Sequence, residues 1–457
     1  MQTLPSESGP GLVLAPFRGI RYAPDRVSGI ANVTSPPYDV ISGGSLEHLR
    51  AADPHNVVRL ILPGETADAS KAAAGLLREW LSASVLIRDR MPALYLYEQA
   101  GADSPWLQRG IISLVRLGSP ESANILPHEG VLPSLVADRR ELMAATQANL
   151  EPIFLIYDGE PGAGRAAMVP AIAEGMAKGI IDMVAAERAP LVSICTEDGV
   201  THRLWQLGDP GEQATIAADL AGRRALIADG HHRYAAYLEL QAEMRAAGLG
   251  TGPWDYGLAF LVDSDAYPPR VGAIHRVLPG LRPERAAELA KGAFTVQDLP
   301  AGFGLADAQE CLAGAGSTGT AFLLAGGEPT VTFRLLSQPD PVQVAASMPT
   351  GISVSWQRLD ASVLQQLLLG RIWGITDSQR DVLVNHDAAD AVRSASSLGA
   401  TAVIANAPSF EDVIRIAAHG ERVPRKSTSF GPKPRTGLVL RTFGPSDDGA
   451  PSAPRPS

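Results

Sequence analysis

The sequence predicts a mixed α/β (α+β) fold with mixed sheets and more than one domain. Strand-like and helix-like segments alternate along the chain, which is typical of α/β and α+β proteins. The clearest example is Ala225–Leu240, where a short apolar strand, an Asp-Gly turn and a helix follow one another. At 457 residues the chain is too long for one ordinary core, so we expect two or three domains.

Composition excludes several classes of protein. Hydrophobic residues make up 45% and charged residues 19%, as in a folded soluble protein, and the net charge of −10 argues against a nucleic-acid partner. The two cysteines, Cys195 and Cys311, lie far apart in the sequence, so we expect neither a disulfide framework nor a Cys-based zinc site. The N-terminal residues do not resemble a signal peptide and no apolar run is long enough to span a membrane. We therefore expect a cytoplasmic protein with no membrane partner.

Hydrophobic periodicity and turn residues predict the elements of the first half. In order, they are a helix with Ser45 as N-cap, a strand in VVRLILP, a helix over Ala69–Ser82, paired strands in ALYLYEQ and QRGIISLVRL with a turn around Gly101–Ser104, a helix over Ala137–Asn149, a strand over Ile153–Tyr157, a mostly helical Gly162–Ala186, and a hairpin over Ala189–Leu207 that turns at Asp198-Gly199.

The second half continues the alternation. After the central strand and helix we predict strands and loops up to Leu278, a helix over Pro283–Gly292, short strands with Gly-rich turns over Phe294–Phe333, a helix over Asp360–Leu369, apolar pieces VLVN and TAVIANA, a helix over Glu411–His419 and a strand over Gly437–Arg441. We divide the chain into a flexible N-terminus (1–14), an N-terminal α/β region (15–188), a core (189–300), a C-terminal α/β region (301–441) and a disordered tail (442–457).

The turn after the central strand concentrates polar residues. Gly230 permits a sharp strand-to-helix turn, and the helix N-terminus that follows favours an anion. Arg233 can clamp a phosphate, while Asp229, His231 and His232 are candidates for catalysis. Each residue also has an ordinary interpretation, since Asp229 can cap the helix, the histidines can be solvated first-turn residues and Arg233 can form a surface ion pair.

A C-terminal loop, PRKSTSFGPK, forms a second polar group. Arg425, Lys426 and Lys433 supply positive charge, and Ser427 and Thr428 supply hydroxyls, so the loop can bind phosphate. It lacks the glycine pattern of a P-loop. A solvated basic surface is the alternative.

His128-Glu129 and Asp138-Arg139 form a third group. A neighbouring histidine and carboxylate suit acid–base chemistry or a magnesium-nucleotide, and the spacing matches no zinc motif. We assign Glu129 to catalysis and His128 and Arg139 to cofactor binding, with ordinary surface residues as the alternative.

These groups belong to a longer set of motifs that recur in one order. The motifs are SPPYDVI (35–41), LPHE (126–129), ADRRELM…NLEPIF (137–154), IADGHHRYA (227–235), HR (275–276), LD (359–360) and RKSTSFGPK…GLV. Together they resemble the large prokaryotic family catalogued as domain of unknown function 1015, which has been linked to the ParB group. The Asp-Gly-x-His-Arg element also resembles the ParB/sulfiredoxin-like superfamily, which implies a nucleotide-binding core.

The sequence departs from the family pattern at two places. The loop GVLPSLVADRR lacks the lysine that usually precedes the Asp-Arg pair, so one phosphate contact implied by the family is missing. Val423 stands where the C-terminal loop usually has methionine.

The resemblance implies a small-molecule kinase similar to the free-serine kinases. In that hypothesis Gly230–Arg233 holds nucleotide phosphates, Lys426 and Lys433 neutralise charge, and Asp229 or Glu129 is the base. The cofactor is ATP or ADP with Mg²⁺, and the acceptor is a small hydroxylated metabolite such as serine. The hypothesis assumes that the three polar groups converge.

Three other functions remain open from the sequence. One is a phosphate-ester hydrolase that uses His231 or His232, and another is a ParB-like nucleotide-dependent switch or DNA-associated protein. The third is a sensor that binds a ligand without turnover. The sequence identifies neither the metal, the substrate nor the oligomeric state.

Overall fold

The computed structural model describes residues 11–41, 43–101, 106–118, 124–157, 176–327, 330–375 and 382–444. Its contacts divide the chain into two compact units. The first comprises 1–126, 131–269 and 432–457, and the second comprises 127–130 and 270–431. Each unit has its own sheet and its own apolar core.

The described strands, in chain order, are β1 Leu14–Ala15, β2 Ile20–Tyr22, β3 Leu86–Arg88, β4 Leu94–Gly101, β5 Leu107–Arg116, β6 Ile125–Leu126, β7 Ala148–Asn149, β8 Ile153–Tyr157, β9 Val192–Cys195, β10 Val200–Leu207, β11 Ala225–Asp229, β12 Tyr256–Asp263, β13 Arg270–Gly272, β14 His275–Leu278, β15 Thr295–Asp298, β16 Ala321–Gly326, β17 Thr332–Ser337, β18 Leu383–Asn385, β19 Thr401–Ala405, β20 Ser429–Gly431 and β21 Arg441–Thr442.

The described α-helices are α1 Ile30–Val33, α2 Gly43–Ala52, α3 Val58–Ile61, α4 Ala69–Ser82, α5 Pro133–Thr146, α6 Met176–Glu187, α7 Pro210–Leu220, α8 His231–Ala246, α9 Pro283–Ala290, α10 Leu305–Gly316, α11 Pro341–Ser347, α12 Val354–Arg358, α13 Asp360–Val363, α14 Ala388–Leu398 and α15 Phe410–Ala418. Short 3₁₀ helices span Pro24–Arg26, Tyr38–Val40 and Pro253–Asp255, and a π-helix spans Leu364–Ile372.

The first unit is built on a mixed sheet in the order β6-β11-β8-β12-β5-β4-β10-β9, with β1 added against β5. The pairs β6–β11 and β8–β12 are parallel, and the other pairs are antiparallel. All five residues of β11 are buried, and so are all five of β8. Strands covered on both faces are expected to be continuously apolar. Because β11 is covered in this way, its last residue, Asp229, lies buried in the interior of the protein.

The second unit has an antiparallel sheet in the order β15-β17-β16-β19-β14-β18, with a separate ladder between β13 and β20. Its core includes the leucines of the π-helix and Phe322 of the central strand β16. The prediction of a mixed α/β chain with a mixed sheet and an additional α/β unit is confirmed.

Several predicted elements agree closely with the structure. The helix Ala69–Ser82 and the strand Ile153–Tyr157 have the predicted bounds, and β4 pairs with β5. The hairpin β9–β10 forms as predicted, with Gly199 at φ 75° in its turn. The helix predicted from Asp360 forms and passes into the π-helix. Most of the predicted helix 162–186 and the turn at 102–104 lie outside the described residues.

Two predictions in the first unit are wrong. The run VVRLILP is not a strand, since Val58–Ile61 is a single helical turn whose apolar side chains lie in a core cluster with α4. A short apolar run does not distinguish a strand from a buried helix. Ser45 is not an N-cap, because α2 already begins at Gly43.

Two further corrections concern glycine-containing segments. Phe294–Phe333 contains the helix α10, whose first turn is capped by the Asp307 carboxylate accepting from Gly304 N–H at 2.8 Å. The predicted strand Gly437–Arg441 is reduced to Arg441–Thr442, because Gly437 has a φ of 96° and breaks the extended chain.

The three-region division of the chain stays a prediction, because compact units defined by contacts need not be independent folding domains. Residues 1–10 and 445–457 lie outside the described residues. Among the described residues of these two segments, Leu12 is fully buried and Thr442 is paired with Ala148. Within the described ranges, no helix combines the length and the apolarity needed to cross a bilayer.

The close approach of β5 and β12 gives a test of this architecture. A Cβ on Gly110 would lie 2.1 Å from the backbone oxygen of Leu261, so we expect Gly110→Ala to destabilise the first unit by roughly 3 kcal/mol. A Cβ on Gly75, inside α4, would lie 4.0 Å from Arg78 Nη2 and clash with nothing, so Gly75→Ala is the matched control and should stabilise by about 1 kcal/mol. Relative to the wild type, the melting temperature should fall for Gly110→Ala and rise for Gly75→Ala. Equal melting temperatures would contradict the β5–β12 register.

Candidate functional site

The first part of the site lies where β11 ends and α8 begins. Gly230 is the N-cap of α8 and has φ 93°, a backbone conformation that favours glycine. A Cβ there would lie 3.1–3.2 Å from Ile153 and from the guanidinium of Arg233. The turn therefore needs glycine both for its backbone angles and for space. No side chain caps the helix, so Asp229 is not an N-cap.

Arg233 and Asp229 form a buried ion pair across this turn. Arg233 Nη2 donates to Asp229 Oδ2 at 2.5 Å, and Nη1 donates to the carbonyl of Pro152 at 2.5 Å. Arg233 is only 2% exposed. Burial works against its charge, but the carboxylates of Glu151 and Asp229 outweigh that effect and raise the pKa of Arg233. The guanidinium therefore fixes the Asp229 carboxylate from inside the protein.

Lys433 completes this cluster from the C-terminal segment. Its ammonium contacts Asp229 Oδ1 at 2.5 Å and also binds Asp39 Oδ2. Asp39 is the residue that follows the Pro-Pro-Tyr sequence. The Lys433 side chain is 14% exposed and that of Asp39 is 23% exposed. Burial opposes the charge of Lys433, but the two carboxylates prevail and raise its pKa. An ammonium between two carboxylates thus joins three segments that are distant in sequence.

An aromatic ring and a buried carboxyl support the cluster. The Tyr38 ring lies 4.6 Å from the guanidinium carbon of Arg139 and 5.8 Å from that of Arg233, within the range of cation–π attraction. Burial raises the pKa of Tyr38 to about 12. Glu151 is 4% exposed, and burial raises its pKa although Arg233 and Arg139 act against this. Arg139 itself donates to the carbonyl of Ile61 at 2.8 Å.

The two histidines of the motif have different surroundings. His231 is buried, whereas His232 is partly exposed. The backbone N–H of Leu132, the N-cap of α5, donates to His232 Nε2 at 3.1 Å. Since Nε2 accepts this hydrogen bond, a neutral His232 carries its proton on Nδ1. In that state the ring has no free lone pair for nucleophilic attack.

In the second unit, the C-terminal loop is held by the predicted His-Glu pair. His128 is fully buried, and its Nε2 lies 2.9 Å from Thr428 Oγ1. The Glu129 carboxylate accepts from the backbone N–H of Lys426 at 3.0 Å. The His128-Glu129 pair therefore meets the Lys426–Thr428 part of the C-terminal loop within one unit, although nothing in the sequence spacing required it.

A buried arginine further shapes this loop. Arg276 Nη2 donates to the carbonyls of Arg425 at 3.2 Å and Lys426 at 2.8 Å. Ser427 Oγ donates to the carbonyl of Pro424. Lys426 has φ 57°, which is uncommon outside glycine and indicates a backbone held by its surroundings. Its side chain is partly exposed, and it forms no ion pair with any described carboxylate.

The predicted site residues therefore form two sets. Asp229, Gly230, His231, His232, Arg233, Arg139 and Lys433 belong to the first unit, and His128, Glu129, Lys426, Ser427 and Thr428 belong to the second. Lys433 contacts the central turn, although the sequence grouped it with Lys426. Asp39 and Glu151 were missed as site residues. Both lie in motifs of the family, SPPYDVI and NLEPIF, and these motifs were the signal that could have identified them.

A protein site for a metal ion needs several donor side chains close together. Within the described residues, no three His, Cys, Asp or Glu side chains cluster closely enough to hold a metal. The carboxylates of Asp39 and Asp229 both contact Lys433 instead.

Comparison with protein families identifies the chain by its sequence. Residues 14–362 match the family described as a protein of unknown function, DUF1015. The chain belongs to the DUF1015 family. The predicted resemblance is confirmed at this level. A comparison with curated proteins gives no significant match.

Solved structures give only distant likenesses to this DUF1015 protein. A free serine kinase variant in complex with ADP is 14% identical with a TM-score of 0.36, covering 75% of this chain and 96% of that one. A conserved hypothetical protein from Pyrococcus furiosus is 14% identical with a TM-score of 0.35, covering 72% and 93%. SbnI from Staphylococcus aureus, truncated at its C-terminus, is 12% identical with a TM-score of 0.33, covering 70% and 82%. At these scores the likenesses indicate nothing about activity.

Replacing the bridging ammonium gives a test of the cluster. Lys433→Met leaves Asp39 and Asp229 facing each other without their shared cation, so we expect a loss of about 3 kcal/mol in stability. Lys291→Met is the control, because Lys291 is exposed and its described ion pair is with the exposed Glu288, so little change in stability is expected. The double variant Asp39→Asn/Lys433→Met should recover part of the loss. Chemical denaturation measures all three, and no difference between Lys433→Met and its control would contradict the bridge.

The buried His202 lies near the C-terminal segment that carries Lys433, and it predicts how the stability of the protein depends on pH. Tyr97 OH accepts from the backbone N–H of Arg435 at 3.1 Å and lies 2.8 Å from His202 Nδ1. Burial lowers the pKa of His202 from 6.5 to about 4. Between those values the unfolded chain takes up a proton that the folded chain excludes, so stability falls as the pH falls from about 6.5 to about 4. The contribution of this one group is about 3 kcal/mol.

The variant His202→Gln removes this titration. Its stability should therefore depend less on pH than that of the wild type over the same window. His275, whose pKa burial also lowers to about 4, titrates in both proteins and cancels in the comparison. Parallel pH profiles for the two proteins would show that His202 is not excluded from water as described.

Proposed function

We propose that this chain binds a nucleoside phosphate and transfers a phosphoryl group to a small hydroxylated metabolite, with serine as the first candidate. The observation that carries the proposal is the ammonium of Lys433 held between Asp229 and Asp39, at the end of β11 and beside the N-terminus of α8. A positive side chain and a helix N-terminus both stabilise phosphate. Phosphoryl transfer needs mainly positioning and neutralisation of charge.

The exposure of the cluster suggests where the phosphate enters. Asp39 is the more exposed partner of Lys433, whereas Asp229 is held from inside by Arg233. An incoming phosphate would therefore replace the Asp39 carboxylate as the outer anion on Lys433. The contact between Lys433 and Asp229 would remain, so the ammonium would stay in place while it changes one anionic partner for another.

The same exchange supplies a base. Asp229 lies between two cations and is poorly placed to take a proton, so we assign the role of base to Asp39 after its release from Lys433. The acceptor hydroxyl oxygen would form the new bond to the terminal phosphorus, and its proton would pass to Asp39. The bridging P–O bond would break, and its electron pair would leave with the shortened nucleotide. Mg²⁺, arriving with the nucleotide and bound mainly by its phosphates, would neutralise further charge.

The remaining predicted residues take supporting roles in this proposal. Arg233 orients Asp229 rather than clamping phosphate, because its guanidinium is buried and two of its nitrogen atoms are already bonded. Lys426, with Ser427 and Thr428, is proposed as a second phosphate-binding element of the second unit, where Glu129 and His128 hold its loop. The element Asp229-Gly230-x-His232-Arg233 supports our proposal that the chain is related to the ParB/sulfiredoxin-like superfamily.

A hydrolase that uses a histidine nucleophile is less well supported. His232 Nε2 accepts the Leu132 N–H, and His231 is buried. A DNA-associated function is opposed by the net charge of −10. The cytoplasmic location stays an expectation from composition.

Nucleotide binding is the first test of the proposal. We expect ATP or ADP with Mg²⁺ to raise the melting temperature of the wild type, with a stabilisation of about 2.7 kcal/mol at a ligand concentration of about 100 times Kd. Lys433→Met should lose this shift, and the exposed-lysine variant Lys291→Met should keep it. Asp39→Asn should bind nucleotide more tightly than the wild type, because the competing carboxylate is gone.

Transfer is tested by incubating the protein with the bound nucleotide and serine or other hydroxylated acids. Mass spectrometry should detect the phosphorylated acceptor with the wild type and not with Asp39→Asn. Release of inorganic phosphate without a phosphorylated acceptor would favour the hydrolase. No thermal shift with ATP, ADP, CTP or AMP at millimolar concentration would overturn the proposal.

A further inference from the structure

Glu151 and Pro152 immediately precede β8 and contact every segment of the cluster. A single oxygen of the Glu151 side chain, Oε1, accepts from the backbone N–H of Tyr38 at 3.1 Å and from Thr436 Oγ1 at 3.2 Å. The carboxyl group is buried, and both donors come from segments that are remote in sequence. A buried carboxylate costs free energy unless it is hydrogen-bonded, so two donors on one oxygen make a well-defined junction.

The covalent neighbours of these donors are the charged residues of the site. Tyr38 immediately precedes Asp39, and Thr436 follows Lys433 by three residues. Fixing the Tyr38 backbone and the Thr436 side chain on one oxygen therefore sets the separation between Asp39 and Lys433. The short chain on each side leaves little freedom for the two charged groups to move apart.

The backbone of the same dipeptide anchors the third segment. The Pro152 carbonyl accepts from Arg233, and the Glu151 carbonyl accepts from Tyr237 OH at 3.3 Å. Arg233 and Tyr237 are one turn apart on α8, the helix that follows Asp229. Glu151 and Pro152 thus hold all three parts of the ion-pair cluster.

We propose that Glu151 is a positioning residue that holds Asp39 and Lys433 in register with Asp229. The role of Glu151 in catalysis rests on the proposed function, but its effect on the ion-pair cluster is independent of any nucleotide. Glu151 does not touch the phosphate or the acceptor. It acts through the Tyr38 backbone and the Thr436 hydroxyl.

The chain offers a direct readout of this role, because it has five lysines: Lys71, Lys178, Lys291, Lys426 and Lys433. Their reaction rates with an amine-specific reagent can be followed one by one by mass spectrometry. In the wild-type protein Lys433 should react slowest, because it is 14% exposed and bound by two carboxylates. Lys71 and Lys291 are exposed and report the unhindered rate.

Two substitutions separate positioning from simple burial. Glu151→Leu replaces the acceptor with an apolar side chain of similar size, so Lys433 should become roughly tenfold more reactive as its carboxylate partners move away. Glu151→Gln keeps a carbonyl oxygen for Tyr38 N–H and Thr436 Oγ1 and should leave the Lys433 rate close to that of the wild type. Thr436→Val removes one donor only and serves if Glu151→Leu does not fold. In each folded variant the rates at Lys71 and Lys291 should be unchanged.

An unchanged Lys433 rate in folded Glu151→Leu and in Thr436→Val would overturn the positioning role. If the wild type binds nucleotide, Glu151→Leu should lower kcat more than it changes KM, and Glu151→Gln should restore kcat. If no protein binds nucleotide, the proposed function fails while the lysine rates still decide the role of Glu151.

Discussion

A buried ammonium must be paired, and in this protein that constraint organises the first unit. Lys433 satisfies it with Asp229 and Asp39, and Asp229 in turn satisfies Arg233. The strand β11 carries Asp229 into the interior, and the Gly230 turn sets α8 at the angle that returns Arg233 to it. Removing any one of these charges takes away one of the partners of its neighbour in a water-poor environment. The cluster is therefore a strong constraint on how the three segments fold together.

In the second unit, buried polar side chains stabilise an irregular loop. His128, Glu129 and Arg276 bind the hydroxyl, N–H and carbonyl groups of the loop around Lys426. These contacts stabilise a positive φ at Lys426 that would otherwise cost free energy. Backbone strain that is maintained in this way is common where a side chain must point in a fixed direction, and it gives Lys426 a defined position without an ion pair among the described carboxylates.

The sequence predicted the elements whose residues follow a local pattern, and it did not predict contacts between distant residues. The helix Ala69–Ser82 and the strand Ile153–Tyr157 were predicted with their bounds because their apolar residues repeat with a clear period. The helix Leu305–Gly316 was missed because glycines begin and end it and glycine was interpreted as a turn signal, although its alanines favour a helix. The partners of Lys433 could not be predicted, since they lie hundreds of residues away and pairing of charges leaves no periodic pattern. Asp39 and Glu151 were overlooked although both lie in the family motifs, because a single carboxylate does not reveal its partner.

Exposure falls steadily along the chain of charges, from 23% for the side chain of Asp39 through 14% for Lys433 to 9% for Asp229 and 3% for Arg233. Dissolved ions screen exposed charges strongly and buried charges weakly. Rising ionic strength therefore weakens the outer contact between Asp39 and Lys433 before it affects the inner contact between Asp229 and Arg233. The outer contact of the cluster is therefore sensitive to salt concentration, whereas the inner contact continues to stabilise the fold.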